Sequence, residues 1–263
     1  RWLVHRLSLE LFGRSISLNE FPHDSSISGI GLTDPHTIAS VLQEKLNYLN
    51  TFLTSEPKLD IRNGKSPIGP LDFLIASEVF EHVEPPVEEA FQNVASLLKP
   101  DGFLLLTVPW VWDGNQHQAL PELHDWRLGR EDNRWLVLNR RPDGSIEKFF
   151  DMVWDDRPGP CLGKTREHFP HLHQWKLIQT GDQWHLENQR QDGTVEQFHE
   201  LVFHEGPGLA LELRLFTKRS LEKSLKESGF SSVEFATEDY PPAGIFFPDP
   251  WSRPVLARLK PAD

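Results

Sequence analysis

Residues 71–110 read LDFLIASEVFEHVEPPVEEAFQNVASLLKPDGFLLLTVPW, and the spacing of their apolar side chains decides the fold. Leu71 to Ala76 is a nearly continuous apolar run, as in a strand buried on both faces of a parallel sheet, and Phe103 to Val108 is a second. Between them, Val87, Ala90, Phe91, Val94, Ala95 and Leu98 follow a three-four spacing that predicts one amphipathic helix from Pro86 to Leu98, stopped by LKPDG. Strand, helix and strand form a crossover unit of a parallel sheet, which is almost always right-handed. In an open sheet of this kind a ligand sits beyond the carboxyl ends of the strands, where Ser77, Glu78, Glu81 and His82 fall.

Upstream, Trp2, Leu3, Leu7, Leu11 and Phe12 lie on one helical face before Gly13, predicting an opening helix that covers a core. SISGIGLTDP then reads as a strand over Ile27 to Leu32, with Asp34 as N-cap and Pro35 as the first residue of a helix to about Asn47. Leu49 to Leu53 is expected as a second strand and Lys58 to Ile61 as a short third one.

Composition narrows the class. The chain has 263 residues, 38% hydrophobic and 25% charged, the balance of an ordinary globular protein rather than a disordered or collagen-like one. No stretch approaches the roughly 18 to 20 apolar residues of a membrane helix. The 39 acidic against 27 basic residues give a net charge of -12 with no basic patch, which argues against nucleic acid as a partner. The single cysteine, Cys161, cannot form an intramolecular disulfide, and a reducing, cytoplasmic location is expected. RWLVHRLSLELFG carries neither an initiator Met nor the pattern of a secretory signal, so Arg1 reads as a processed beginning with sequence missing upstream.

Residues 110–212 contain an internal repeat. At an offset of 49 residues, PELHDWRLGREDNRWLVLNRRPDGSIEKFFDMVWDDRPG from Pro121 aligns without gaps to PHLHQWKLIQTGDQWHLENQRQDGTVEQFHELVFHEGPG from Pro170. The pairs include His124 with His173, Trp126 with Trp175 and Trp135 with Trp184. Asp143-Gly144 and Asp192-Gly193 mark hairpin turns between alternating runs, Trp135 to Asn139 with Ile146 to Phe149 and Trp184 to Asn188 with Val195 to Phe198. Two antiparallel hairpins, paired as one small sheet over the mouth of a site, are expected. Seven of the nine tryptophans lie between Trp110 and Trp184, available either for a thin domain's own core or for stacking on a sugar or aromatic ligand.

Asp72 to Pro109 resembles the fourth strand, following helix and fifth strand of class I S-adenosylmethionine-dependent methyltransferases, through DFLIASEVFEHV, LKPDG and LLLTVP. LFTKRSLEKSLKESGFSSVEF resembles their last helix and sixth strand, and Pro254 to Leu259 the closing seventh; together these elements cover about 150 residues. The resemblance implies an α/β fold, a Rossmann-like methyltransferase sheet with helices on both faces, here carrying an inserted antiparallel β-hairpin cap. It divides the chain into a core at 1–109, the cap at 110–212 and the rest of the core at 213–263. It also implies S-adenosyl-L-methionine as cofactor and methyl transfer to an oxygen or nitrogen of a small-molecule or glycan acceptor.

By the same resemblance, Gly29 and Gly31 stand for the family's glycine-rich turn, with Asp34 beside them, although its third glycine and leading acid are absent. Ile27 to Leu32 is then strand one, the alternative being strand two with the first strand upstream. No ribose-binding acid follows the second strand, Glu56 being the nearest; Asp60 resembles the group that holds the adenine amino nitrogen, and Ser77 and Glu78 flank the cofactor. The general-base candidates are His82, His173 and His124, since imidazole titrates near neutrality. Tyr240, Phe246 and Trp251 are expected to pack under the cap. HFPHLH, residues 168–173, lacks the spacing of a zinc signature, so no metal is expected and a metal-dependent hydrolase using these histidines is the third class. The second is a methyltransferase-like fold that has lost catalysis and binds glycan or protein, which the incomplete glycine turn favours.

Overall fold

The structure is a computed structural model that describes residues 1–84, 86–111, 125–131, 134–149, 166–167, 172–199, 201, 203, 211–247 and 253–260. The N-terminal half runs α1 (Trp2–Phe12), β1 (Asp24–Leu32), α2 (His36–Lys45), β2 (Leu46–Thr51), β3 (Leu71–Ser77), α3 (Val87–Leu97), β4 (Leu98–Thr107) and β5 (Trp110–Val111). There follow β6 (Asp125–Glu131), β7 (Arg134–Arg140), β8 (Ile146–Phe149), β9 (Arg166–Glu167), β10 (Gln174–Thr180), β11 (Gln183–Gln189) and β12 (Val195–Phe198). β13 (Arg214–Thr217), α4 (Lys218–Glu227), β14 (Phe230–Phe235) and β15 (Val255–Leu259) complete the chain.

The central sheet has the order β14-β15-β4-β3-β1-β2, with β1 to β4 parallel and β15 antiparallel to both neighbours. The period of two along its strands divides the core. Leu74, Ala76, Leu104 and Leu106 face α3 and α4, packing with Phe91, Val94, Leu221 and Leu225. Phe73, Ile75, Phe103 and Leu105 face the opposite way and are covered by Leu7 of α1 and by Ala39 and Leu42 of α2. Gly13, at φ 68, closes α1 as the sequence predicts, its N–H donating to the Leu9 carbonyl at 2.9 Å.

Several expectations are corrected. The third short strand is a single parallel bridge, Phe52 to Lys58, because Asp60 starts a turn: its carboxylate accepts from Arg62 N and its carbonyl from Gly64 N. Asp34 is not an N-cap. α2 starts at His36 behind Pro35, while the buried Asp34 carboxylate accepts from the Tyr48 hydroxyl and its main chain is clamped by the Asn50 amide at 2.9 Å in both directions. Tyr240 and Phe246 are exposed rather than packed under a cap, and Tyr240 stacks on His5 at 4.6 Å; Trp251 lies outside the described residues.

The two expected hairpins each gain a preceding strand and do not share a sheet. β6-β7-β8 and β10-β11-β12 are separate three-stranded antiparallel sheets, the second 49 residues after the first, with Trp126 opposite Asn139 and Trp175 opposite Asn188. In each, the amide of the central strand reaches a glutamate across the Asp-Gly turn, Asn139 to Glu147 at 3.0 Å and Asn188 to Glu196 at 3.3 Å. Both asparagines are buried, which makes the cross-strand bond a structural requirement.

Asp34 sets a pH dependence. Burial pushes its carboxyl up to about 6 against the pull of the Tyr48 hydrogen bond. A folded value above the unfolded one means that the chain folds best with Asp34 protonated, so this contribution is full below about pH 4 and lost as pH rises through about 6. Asp34→Asn is therefore expected to lack a stability decline of up to about 2 to 3 kcal/mol that the parent shows over that window. Urea titrations of both proteins at pH 4, 5, 6 and 7 read the difference; parallel curves would refute it.

Candidate functional site

In the order β4-β3-β1-β2 the direction of winding reverses between β3 and β1, and ligands of open α/β sheets bind beyond the carboxyl ends of the strands at such a point. Two non-glycine residues with left-handed backbone stand there: Thr33 at φ 61 just after β1, and Glu78 at φ 53 just after β3. A β-branched residue in that region is strained, and strain of this kind concentrates at functional sites. Both turns are held open by the sheet itself, since Thr33 N donates to the Thr51 carbonyl and Glu78 N to that of Thr107, each at 2.9 Å. Ser77 Oγ shares a hydrogen bond of 2.8 Å with Thr107 Oγ1, joining the ends of β3 and β4.

Gly29 and Gly31 lie inside β1, not in the turn after it. A Cβ on Gly29 would fall 2.2 Å from Phe73 Cζ, and one on Gly31 would fall 1.8 Å from the Tyr48 hydroxyl oxygen and 2.3 Å from Asp34 Oδ2. Strand packing accounts for both glycines, and the space in front of each is filled by this chain's own side chains. Asp34 is buried with its carboxylate turned to the Tyr48 hydroxyl.

Asp60 sits in the turn beyond the Phe52 to Lys58 bridge. Burial alone would raise its carboxyl, but hydrogen bonds from Arg62 outweigh that and hold it below the usual carboxylate range. Arg62 also reaches Glu84 Oε2 at 2.6 Å, and Glu84 Oε1 accepts from the Trp175 indole N–H at 2.9 Å. A chain of polar contacts thus runs from Asp60 to the β10-β11-β12 sheet, none of it legible from sequence spacing.

The one-turn helix Phe80–His82 after β3 carries the residue that sequence reasoning left without a role. Glu81 is fully buried, and its carboxyl is pushed up to about 9 by burial first, then by the Glu78 and Glu212 carboxylates. Its signal in the sequence is an acid set among the apolar residues Val79, Phe80 and Val83, midway between Glu78 and Glu84. His82, next to it, donates through Nδ1 to the Leu211 carbonyl at 2.7 Å, because a carbonyl can only accept; Nε2 faces Glu81 Oε1 at 3.6 Å.

His173 lies elsewhere, just before β10, its N–H on Asn188 Oδ1 at 2.8 Å. It lines a cavity of about 520 Å³ with Leu172, Arg190, Gln191 and Asp192, which includes none of Asp60, Ser77, Glu78 or His82. His124, its repeat partner, falls outside the described residues. Among the described residues no three His, Cys, Asp or Glu side chains converge on a metal-sized point, and no helix is long and apolar enough to cross a membrane.

Residues 22–150 match a protein family described as "Methyltransferase domain". No curated protein matches the chain. Among solved structures it is similar to DesVI of Streptomyces venezuelae, at 11% identity over 90% of this chain and 84% of that one, with a TM-score of 0.41. It is also similar to the sugar N-methyltransferase KedS8 of a Streptoalloteichus species, at 12% identity over 98% of this chain and 85% of that one, TM-score 0.44. A third is an S-adenosylmethionine-dependent methyltransferase of Clostridium acetobutylicum, at 12% identity over 97% of both chains, TM-score 0.43.

Proposed function

We propose that this chain is an S-adenosylmethionine-dependent methyltransferase acting on an oxygen or nitrogen acceptor of a small molecule or glycan. One observation carries the reading: the methyltransferase match over residues 22–150 spans β1 to β4, and the reversal of strand order within that span is flanked by the two strained turns at Thr33 and Glu78. The residues present fit the cofactor in part. Asp60 offers a partly buried carboxylate for the adenine amino group, which would share it with Arg62. Ser77 and Glu78 border the crevice; Gly29, Gly31 and Asp34 are engaged in packing and leave the cofactor's methionine portion to the turn at Thr33.

When bound, the cofactor supplies an electrophilic methyl group and a neutral sulfur leaving group. The protein's part is to hold the acceptor in line with that methyl, to exclude water and to take up a proton if the acceptor must lose one. His82, in the turn that follows β3, is the base candidate nearest that end of the strand along the chain, with Nδ1 fixed on the Leu211 carbonyl and Nε2 facing Glu81. His173, and His124 as its repeat counterpart, would act only from a cap formed by residues 110–212 closing over that end. Through Glu84 and Trp175, the β10-β11-β12 sheet would then also rest on the nucleoside end of the site.

The packed glycines favour a second reading, a fold that has lost the cofactor and binds glycan or protein. Calorimetric titration with S-adenosylmethionine and S-adenosylhomocysteine separates the two. The methyltransferase reading expects micromolar binding of at least one, weakened at least about tenfold, roughly 1.4 kcal/mol, in Asp60→Ala. Absence of binding by the folded parent chain would leave the binding-module reading; unchanged affinity in Asp60→Ala would remove Asp60 from the site.

A further inference from the structure

Glu81 is held in place from three directions. Leu213 N donates to the Glu81 carbonyl at 2.9 Å, Arg214 Nη1 to the Phe80 carbonyl at 2.7 Å, and His82 Nδ1 to the Leu211 carbonyl at 2.7 Å. These bonds fasten the Phe80–His82 turn to the segment entering β13, so the carboxyl is where a rigid backbone puts it. Neither carboxyl oxygen makes a hydrogen bond of acceptable geometry, although the Glu78 side chain approaches closely enough to add to its protonation. A buried acid without a hydrogen bond, its nearest basic neighbour His82 Nε2 standing at 3.6 Å, is costly and calls for a physical reason.

Its surroundings supply one. Glu78 is exposed at the crevice, Glu212 is 1% exposed, and His82 Nε2 faces Glu81, so a solvent-facing carboxylate leads inward to two buried acids. Such a graded group attracts a cation that can shed water on the way in. Among the described residues no three His, Cys, Asp or Glu side chains converge on a metal-sized point. Carboxylates in this arrangement can seat an ammonium on a larger molecule, which needs negative charge and acceptor oxygens but no fixed coordination shell.

We propose that Glu81, with Glu78 and Glu212 beside it, seats the positive charge of the methyl acceptor, which is an amine whose nitrogen is the atom methylated. This rests on the methyltransferase reading. On binding, the ammonium displaces the Glu81 proton to solvent. The bound ammonium then gives one proton back to the Glu81 carboxylate, and the freed nitrogen lone pair forms the N–C bond. The C–S bond breaks with its electron pair staying on sulfur. A methylated ammonium and a neutral thioether leave, and the proton on Glu81 returns to solvent.

The test pairs amines with alcohols of the same shape, glucosamine with glucose and benzylamine with benzyl alcohol, in assays of label transfer from methyl-tritiated S-adenosylmethionine. Calorimetry of the same compounds with the S-adenosylhomocysteine complex, in buffers of different ionisation enthalpy, counts protons. The proposal expects label on amines alone, about one proton released per amine bound, and at least a hundredfold loss of kcat/KM in Glu81→Gln with cofactor affinity within twofold of the parent. Label on the alcohols, no amine bound by a chain that binds cofactor, or amine turnover unchanged in Glu81→Gln would each overturn it. Stoichiometric Mn²⁺ binding that Glu81→Gln abolishes would also overturn it, in favour of a metal. Failure to bind cofactor at all is a separate outcome and overturns the methyltransferase reading on which this one stands.

Discussion

Gly29→Ala is expected to lower the unfolding free energy by about 3 kcal/mol, the upper range for overpacking a well-filled core, and to do so whether or not a cofactor is present. Gly29 pairs with Phe73 across β1 and β3, and the added methyl would meet three atoms of that ring at 2.2 to 2.5 Å. The ring has nowhere to go. Phe73 is fully buried and stacks between Tyr48 and Phe103 at centroid distances of 6.1 and 6.0 Å. Relief must therefore come from the strands moving apart, which strains the parallel ladder on both sides of β1. Urea denaturation measures the loss, and a Gly29→Ala, Phe73→Leu double variant should recover part of it, since the two changes act on one contact. A Gly29→Ala protein of parental stability that has lost cofactor affinity would reverse the assignment and make Gly29 part of a binding cradle. Gly31→Val cannot decide this, because its side chain would strike Tyr48 and Asp34 and any loss of binding would report that collision.

The two glycines show where sequence reading runs out. A Gly-x-Gly at the end of a strand has two physical causes, a backbone that must approach a ligand and a strand that must admit a neighbour's ring, and spacing alone does not separate them. Residues 71–107 were legible because each signal had one cause: continuous apolar runs long enough only for strands, a three-four pattern between them, and a Pro-Asp-Gly stop. Asp34-Pro35 carried the signature of a helix start, yet the carboxylate was claimed by Tyr48, a partner 14 residues on that only the β1-β2 pairing brings near. In the repeats the Asp-Gly turns were read correctly. The strands before them carry a weaker signal: Trp126 and Leu128, and Trp175 and Leu177, alternate, but the turn that follows has a glycine only in the second copy, Gly181 at φ 64, where the first copy reads Glu131-Asp132-Asn133-Arg134. The bond from Trp175 in the β10-β11-β12 sheet to Glu84 depends on tertiary placement and has no local signal.

Glu81→Gln is expected to make the protein more stable at neutral pH, by about 3 kcal/mol, while removing the charge that the proposed acceptor site depends on. Burial, with Glu78 and Glu212 adding to it, pushes the Glu81 carboxyl up to about 9, whereas an unfolded chain returns it to the ordinary glutamate range. The folded value is the higher one, so the folded chain holds a proton that the unfolded chain releases. Stability from this group is full below about pH 4 and declines as pH rises toward about 9, and by pH 7 a little more than half of the decline has occurred. Glutamine keeps the shape and the polarity of the protonated acid but has no proton to lose. Its melting temperature should therefore vary less between pH 4.5 and 9 than the parent's, the two curves separating as pH rises. A variant less stable than the parent at pH 7 would mean that the carboxylate is ionised and satisfied in the fold, and would remove the reason for assigning it a ligand. A more stable variant that has lost amine transfer would show the opposite relation: the chain retains a destabilising acid at the carboxyl end of its central strand because an incoming cation, rather than the fold, is its partner.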